Sequence, residues 1–439
     1  MLQTYRDVLA RPGALGFSST GVVARLPMSM VGIGIVLMVE ALYGSYGLAG
    51  RVSAVFVVAQ AVCSPQIARL VDRHGQARVM RPAVLVSAAG IVLLVVAATS
   101  RAHPVWLYVS AVLAGATIGS FGALVRARWT HALGDDPRRV HTAFSLESAL
   151  DELVFVVGPV LATLLATSVA PAAGLVVPVV AMVLGGLAFL AQRRTEPPPT
   201  GTLPAAERPR GSVLRSPGMV VLVVVFVAMG AIFGATDVST VAFAEEVGRP
   251  GLAGPVLAVF ALGSLLSGLL YGARHWTSPL HRRFALGVIA LAVGVCAFFL
   301  AQSLAVLAIV MFVVGFAIAP SLVNGNALVQ GLVPAGRLTE GLTWVSTALG
   351  VGVSVGSSVA GARIDAGGAH AGFLVVVVSG AAALVATLVA LPVLRPRPGA
   401  TAPAEDVRRV EDLSTSATGG ATVAACESAS QAAPRPGEG

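Results

Sequence analysis

The decapeptide GLAGRVSAVF at residues 47–56 returns as GLAGPVLAVF at residues 251–260, identical at eight of ten positions. Each copy leads into a long apolar stretch, 52–68 in the first case and 251–273 in the second. A soluble domain carries roughly 45–50% apolar and about 25% charged residues. This 439-residue chain is 56% hydrophobic and 11% charged, with a mean hydropathy of +0.85. It reads as a polytopic membrane protein, so the useful count is of runs near the ~20 residues that a helix needs to cross hydrocarbon.

Working outward from the two copies, charged residues divide the chain into single crossings at 17–39, 52–68, 83–99, 104–125, 219–238, 251–273, 342–362 and 373–394. The uncharged runs 153–192 and 284–336 are too long for one crossing and fold back as hairpins, at 171–174 and at Gln302–Ser303. The runs do not alternate and are too long for barrel strands, so they are helices. The expectation is an all-α membrane protein of twelve transmembrane helices. The two decapeptides then fall at the start of spans two and eight. Six is even, so both halves cross in the same sense, giving two six-helix bundles in a parallel pseudo-twofold repeat. The bundles are expected at 1–192 and 218–394. They are joined by a basic, Pro-rich linker at 193–217 and followed by a disordered tail at 395–439.

Every basic residue apart from His is Arg. With the N-terminus inside, only Arg51, Arg101, Arg249 and Arg363 fall outside and Arg25 falls within a span; all the others are inside. The bias predicts cytoplasmic termini and a place in the cytoplasmic (inner) membrane. The net charge of +8 and pI near 10.4 then report topology, and no nucleic-acid partner is invoked. The opening MLQTYRDVLARPG carries an acid and no cleavable small-residue site, so no signal peptide is read there. Cys63, Cys296 and Cys426 suggest no disulfide framework.

The turn after span two reads ARLVDRHGQAR, residues 68–78. It resembles the loop signature of the major facilitator superfamily, Gly-x-Leu-x-Asp-Arg-x-Gly-Arg-Arg/Lys. Leu70, Asp72, Arg73 and Gly75 match; Ala68, Gln76 and Ala77 depart, and Arg78 follows one place late. The equivalent turn of the second half, GLLYGARHW at 268–276, keeps the small residues and loses the acid. The resemblance implies a two-bundle transporter with an inner gate. Gly75 permits a tight turn, and Asp72 can pair with arginines or face a helix N-terminus. Asp72 and Arg73, with Arg126 or Arg128 of span four, are assigned to an ion-paired gate. The alternative for these arginines is topology alone, but an acid adds nothing to an inside-positive bias. Gly158 and Pro159 in span five resemble the Gly-Pro pair of drug/proton antiporters; only that pair matches, Val154 standing where that signature has its first Gly and Ala162 and Thr163 where it has its last two residues. An arginine typical of proton-coupled members is replaced by Ala111.

Span five also carries Glu147, Asp151 and Glu152, the first two sharing a helix face. Either they lie at membrane depth, where acids mark proton paths, or the membrane begins near Leu153 and they sit at its inner surface. Arg25 in span one is the leading cavity charge, with Asp237 near the outer mouth and Asn324 and Asn326 in span ten as further cavity candidates. Glu40, Glu245 and Glu246 read as outer-loop residues, and the Gly-rich 349–361 as close helix packing. No metal-spaced cluster, nucleophile–base pair or phosphate loop is found, so an enzyme is disfavoured and no cofactor is expected. The leading function is secondary transport of a small molecule with protons as partner, export being favoured by the Gly-Pro pair. Uptake by proton symport or facilitation is the alternative, and a non-transporting sensor the reading from another class. The chain is expected to act as a monomer in the lipid bilayer.

Overall fold

The computed structural model describes residues 2–134, 136–204, 211–274 and 276–394, among which all regular structure is helical. The expected disordered tail lies outside the described residues. The first half comprises α1 (Leu2–Leu9), α2 (Ala14–Tyr43), α3 (Tyr46–His74), α4 (Gln76–Thr99), α5 (Pro104–Thr117), α6 (Phe121–Leu133), α7 (Pro137–Ser168) and α8 (Ala173–Ala191). The second half comprises α9 (Pro217–Glu246), α10 (Ala253–Ala273), α11 (Leu280–Cys296), α12 (Leu304–Gly315), α13 (Ile318–Leu332) and α14 (Leu338–Val389). Among the described residues, 11 helical segments are long and apolar enough to cross a membrane. The last of them, α14, runs for 52 residues and is broken at Gly367–Gly368, so it makes two crossings and the total is twelve. This is a multi-pass membrane protein with two hydrophobic cores, one drawn from residues 8–190 with Val323 added and the other from 213–394 with Ala123 and Ala127 added.

The two fold-back points fall where the chain breaks, between α7 and α8 and just before α12. The loop expected between residues 362 and 373 is instead almost wholly helical. Gly368 takes φ 75°, and the Glu246 carboxylate accepts the Ala369 N–H at 2.6 Å, capping the second arm of α14. Glu246 is therefore the last residue of α9 and a helix cap, and Glu245 and Glu40 likewise lie on helices, not in outer loops.

Spans four and ten, each read as continuous, are both broken. Gly119 at φ 65° separates α5 from α6, and Phe316–Ala317 separates α12 from α13. These spans occupy equivalent places in the two halves. Hydrocarbon offers no hydrogen bonds, so carbonyls near such breaks need partners from neighbouring helices. Ser87 Oγ donates to Ala114 O at 2.9 Å, and Ser267 Oγ to Phe316 O at 2.6 Å.

The decapeptide echo has the same consequence twice. Its final residue presents a carbonyl to a glycine: Phe56 O faces Gly115 of α5, and Phe260 O faces Gly315 of α12. A side chain at either glycine would collide with that carbonyl, so the echo marks a close backbone crossing of α3 on α5 and of α10 on α12. The Gly-rich 349–361 works in the same way. Gly352 and Gly356 abut the carbonyls of Val227 and Ala231, while Gly230 and Gly234 abut those of Leu349 and Val353. A Cβ added at Gly350, by contrast, meets nothing within 4 Å. Gly234→Ala is therefore expected to lower stability by about 1–3 kcal/mol through overpacking, and Gly350→Ala to be neutral or up to ~1 kcal/mol stabilising. Thermal unfolding in one detergent checks the pair; equal effects would contradict the packing.

Candidate transport pathway and gate

Three helices of the first bundle converge on four charges. Arg25 of α2 donates from Nη2 to Glu147 at 2.5 Å and from Nη1 to Asp151 at 2.6 Å. Arg126 of α6 donates from Nη2 to the other Asp151 oxygen at 2.8 Å. The four-residue spacing of Glu147 and Asp151 brings both acids of α7 to one guanidinium. Glu147 is 0% exposed and also accepts from Ser18 Oγ and Trp129 Nε1, each at 2.7 Å. The Asp151 side chain keeps 20% exposure. Gly122 leaves room for Arg126: a Cβ there would lie 3.3 Å from its Nη1. Two guanidiniums against two carboxylates leave the cluster neutral, which is how buried charge is tolerated. Glu152 points elsewhere and accepts from Ser264 Oγ of α10 at 2.7 Å, across the two bundles.

The bundles meet where α3 faces α14 and α7 faces α10. Asp72, near the end of α3, accepts the backbone N–H groups of Thr339 at 3.2 Å and Glu340 at 2.8 Å. These are the second and third residues of α14, where unsatisfied N–H groups and the helix dipole favour an anion. Thr142 Oγ1 donates to Gly272 O at 2.9 Å, and Tyr5 of α1 donates to Leu269 O at 2.7 Å. A Cβ at Gly272 would strike Ser145 and the Tyr5 hydroxyl, so this glycine is the slot in which α1 and α7 seat. Burial pushes the Tyr5 hydroxyl up to about 12, keeping it a donor at any ordinary pH. Every cross-bundle hydrogen bond among the described residues lies in the half of the molecule nearer the linker, Glu152–Ser264 being the deepest.

The expected ion pair between Asp72 and the span-four arginines is not formed. Arg126 is held by Asp151. Arg128 is fully buried, donating to Gln76 Oε1 at 2.8 Å, Gln192 O at 3.0 Å and Thr195 Oγ1 at 2.9 Å, with its guanidinium 3.8 Å above the Phe189 ring. It ties α4 and α6 to the C-terminal end of α8, where carbonyls lack partners. Arg73 is exposed. Gly75, at φ 96°, makes the turn between α3 and α4, and the linker's Glu196 accepts the Ala77 N–H there at 2.9 Å. Linker residue Thr200 adds a bond to Asp72 O at 3.0 Å.

The remaining candidates are scattered. Gly158 seats Ser29 and Met30 of α2 within the first bundle, and Pro159 lies inside α7. Asp237 is exposed on α9 with no hydrogen bond or ion pair among the described residues. Asn324 is bonded to the Tyr271 hydroxyl of α10 (2.8 Å), and Asn326 to Leu322 O of its own helix (2.9 Å). No group of three or more His, Cys, Asp or Glu among the described residues is placed to hold a metal ion. Sequence reasoning missed Ser18, Trp129, Ser264, Glu196 and Tyr5. Only Trp129 had a signal, standing beside two arginines in ALVRARW at 123–129.

A family model described as Major Facilitator Superfamily matches residues 17–285 and 280–428. No curated protein sequence gives a significant match. Among solved structures, the chain is similar to the human organic anion transporter MFSD10 (TETRAN), at 15% identity and TM-score 0.65, over 88% of this chain and 99% of that one. It is also similar to a bacterial homologue of the iron transporter ferroportin in its outward-facing state, at 17% identity and TM-score 0.67, over 87% and 98%. Asp72→Asn removes the charge from the α14 contact. In a single-cysteine Ser145→Cys protein it is expected to raise the maleimide reaction rate at that buried seam position several-fold; an unchanged rate would count against a gate at Asp72.

Proposed function

Because the chain belongs to the Major Facilitator Superfamily, a family of membrane transporters, we propose that it moves a small molecule by alternating access, its two bundles rocking about the seam between them. The observation that carries this reading is the confinement of cross-bundle bonds to one half, led by Asp72 on the N-terminus of α14. With the linker face taken as cytoplasmic, from the arginine bias, these contacts form a shut inner gate in a monomer of the cytoplasmic membrane with both termini inside. The outward-facing state of the ferroportin homologue supports the same assignment.

Protons are the proposed coupling ion, carried on α7. Glu147 is saturated by three donors, which leaves the partly exposed Asp151 and the cation-free Glu152 as the groups that exchange a proton. Direction rests on two different observations. The Gly158–Pro159 pair supports export against protons, as in drug/proton antiporters. The clamping of Asp151 between two guanidiniums supports uptake together with a proton, since neutralising that acid frees a cationic side chain for the solute.

Proteoliposomes with an internal pH dye test the function. On addition of solutes under an imposed pH gradient, at least one solute is expected to drive proton flux, and the sign of that flux decides between exchange and co-transport. A protein that binds solute without moving either species would be a sensor, contradicting the proposal.

A further inference from the structure

The buried charge cluster has an asymmetry that its neutrality conceals. Arg25 is anchored twice, to Glu147 and to Asp151, and its Nε also donates to Gly21 O at 3.1 Å. Arg126 has a single anionic partner, Asp151, supplemented by two long bonds at 3.3 Å to Ser148 Oγ and to Gly122 O of its own helix. Its side chain is 7% exposed, and its Nε is a buried donor with no partner. An orphaned donor inside a protein is costly and calls for an explanation. The Asp151 side chain, 20% exposed, is the accessible member of the group.

The groups around Asp151 decide where charge is left unbalanced once that acid is neutralised. From α2 it faces Arg25 and from α6 Arg126; on its own helix the nearest acids are Glu147 and Glu152. Helix α8 carries no titratable residue, α13 contributes only amides such as Asn324 and Asn326, the one titratable residue of α10 is Tyr271, bonded to Asn324, and α1 carries Tyr5, bonded to Leu269 O, with Arg6 and Asp7 exposed. A proton on Asp151 therefore leaves two guanidiniums facing one carboxylate, Glu147. Arg25 stays with Glu147. The unbalanced charge falls on Arg126, whose planar fork then has both an Nη and the orphaned Nε for a two-point grip on an oxyanion. A cationic solute has no comparable place here, because it would have to displace two arginines from Asp151.

Resting on the transporter reading above, we infer that the transported solute is an anion, a carboxylate or similar oxyanion, which replaces Asp151 on Arg126 as Asp151 takes up a proton. Proton and anion then bind together, and no bond is made or broken beyond the proton transfer to the carboxylate. While Asp151 is mostly ionised, binding that carries one proton tightens roughly tenfold for each pH unit of acidification.

The test is thermal stabilisation of the full-length purified protein by a panel of mono- and dicarboxylates and by the corresponding amines, at pH 5.5 and 7.5. At least one carboxylate is expected to stabilise, more strongly at pH 5.5. Asp151→Asn is expected to bind that carboxylate equally at both pH values. Asp151→Asn combined with Arg126→Gln, which keeps Arg25 and Glu147 paired and the cluster neutral, is expected to fold and lose the effect at least tenfold. The inference is overturned if no carboxylate stabilises, if only amines do, or if the double variant keeps the carboxylate response. Proton-coupled movement of an amine in the proteoliposomes would leave the transporter reading standing while removing the anion. Absence of any solute flux would remove the transporter reading itself.

Discussion

Hydrocarbon supplies no hydrogen bonds and little dielectric screening, so a polar group that this chain carries into a span is costly unless another part of the same chain answers it. That constraint accounts for most of what distinguishes the structure from twelve plain rods. The broken spans four and ten lean on serines of neighbouring helices, Ser87 and Ser267, for their carbonyls. The guanidinium of Arg128 serves the end of α8, and Glu246 serves the start of the last crossing. Arg25 and Arg126 are tolerated because α7 brings a matching pair of acids to them.

The same constraint distinguishes fixed contacts from movable ones. Within a bundle, backbones cross at glycines such as Gly115, Gly234 and Gly315, with carbonyls packed against them. Such contacts have no alternative geometry. Between bundles, the hydrogen bonds are a carboxylate on two N–H groups, a serine hydroxyl on the Glu152 carboxylate, and hydroxyls and a histidine on carbonyls, all of which water can replace. On the proposed rocking mechanism, the seam is where two rigid bundles exchange such bonds for water. The linker takes part in this division. Through Glu196 and Thr200 it holds the α3–α4 turn that presents Asp72, so this acid is positioned by a segment outside both bundles.

Much of this was legible in the sequence. Length and polarity of the runs gave the number of crossings, and the repeated decapeptide gave the two-bundle plan, because a backbone crossing that needs small residues imposes the same sequence twice. Asp72 was legible as an acid placed to meet an arginine or a helix N-terminus, and Asp151 and Glu147 as a pair from their spacing. Their partners were not legible. Whether Asp72 meets an arginine or a helix end depends on where α14 begins in space, and nothing local to residues 68–78 encodes that. Arg128 looked equivalent to Arg126, two residues away, yet on a helix those side chains diverge by about 160°; one enters the charge cluster and the other the α8 terminus. The breaks in spans four and ten were not legible because Gly119 and Phe316 stand in long uncharged runs where hydropathy carries no conformational information.

The proposed mechanism has two rigid bundles exchanging closure between the two faces of the molecule. It is tested most directly by measuring spin-label distances across the seam in proteoliposomes, with one pair at Arg78 and Arg282 on the linker face and another at Arg101 and Arg249 on the far face. All four positions are exposed. The account predicts two populations for each pair, the linker-face distance lengthening as the far-face distance shortens. A single fixed distance at both faces, or two distances that lengthen together, would contradict it.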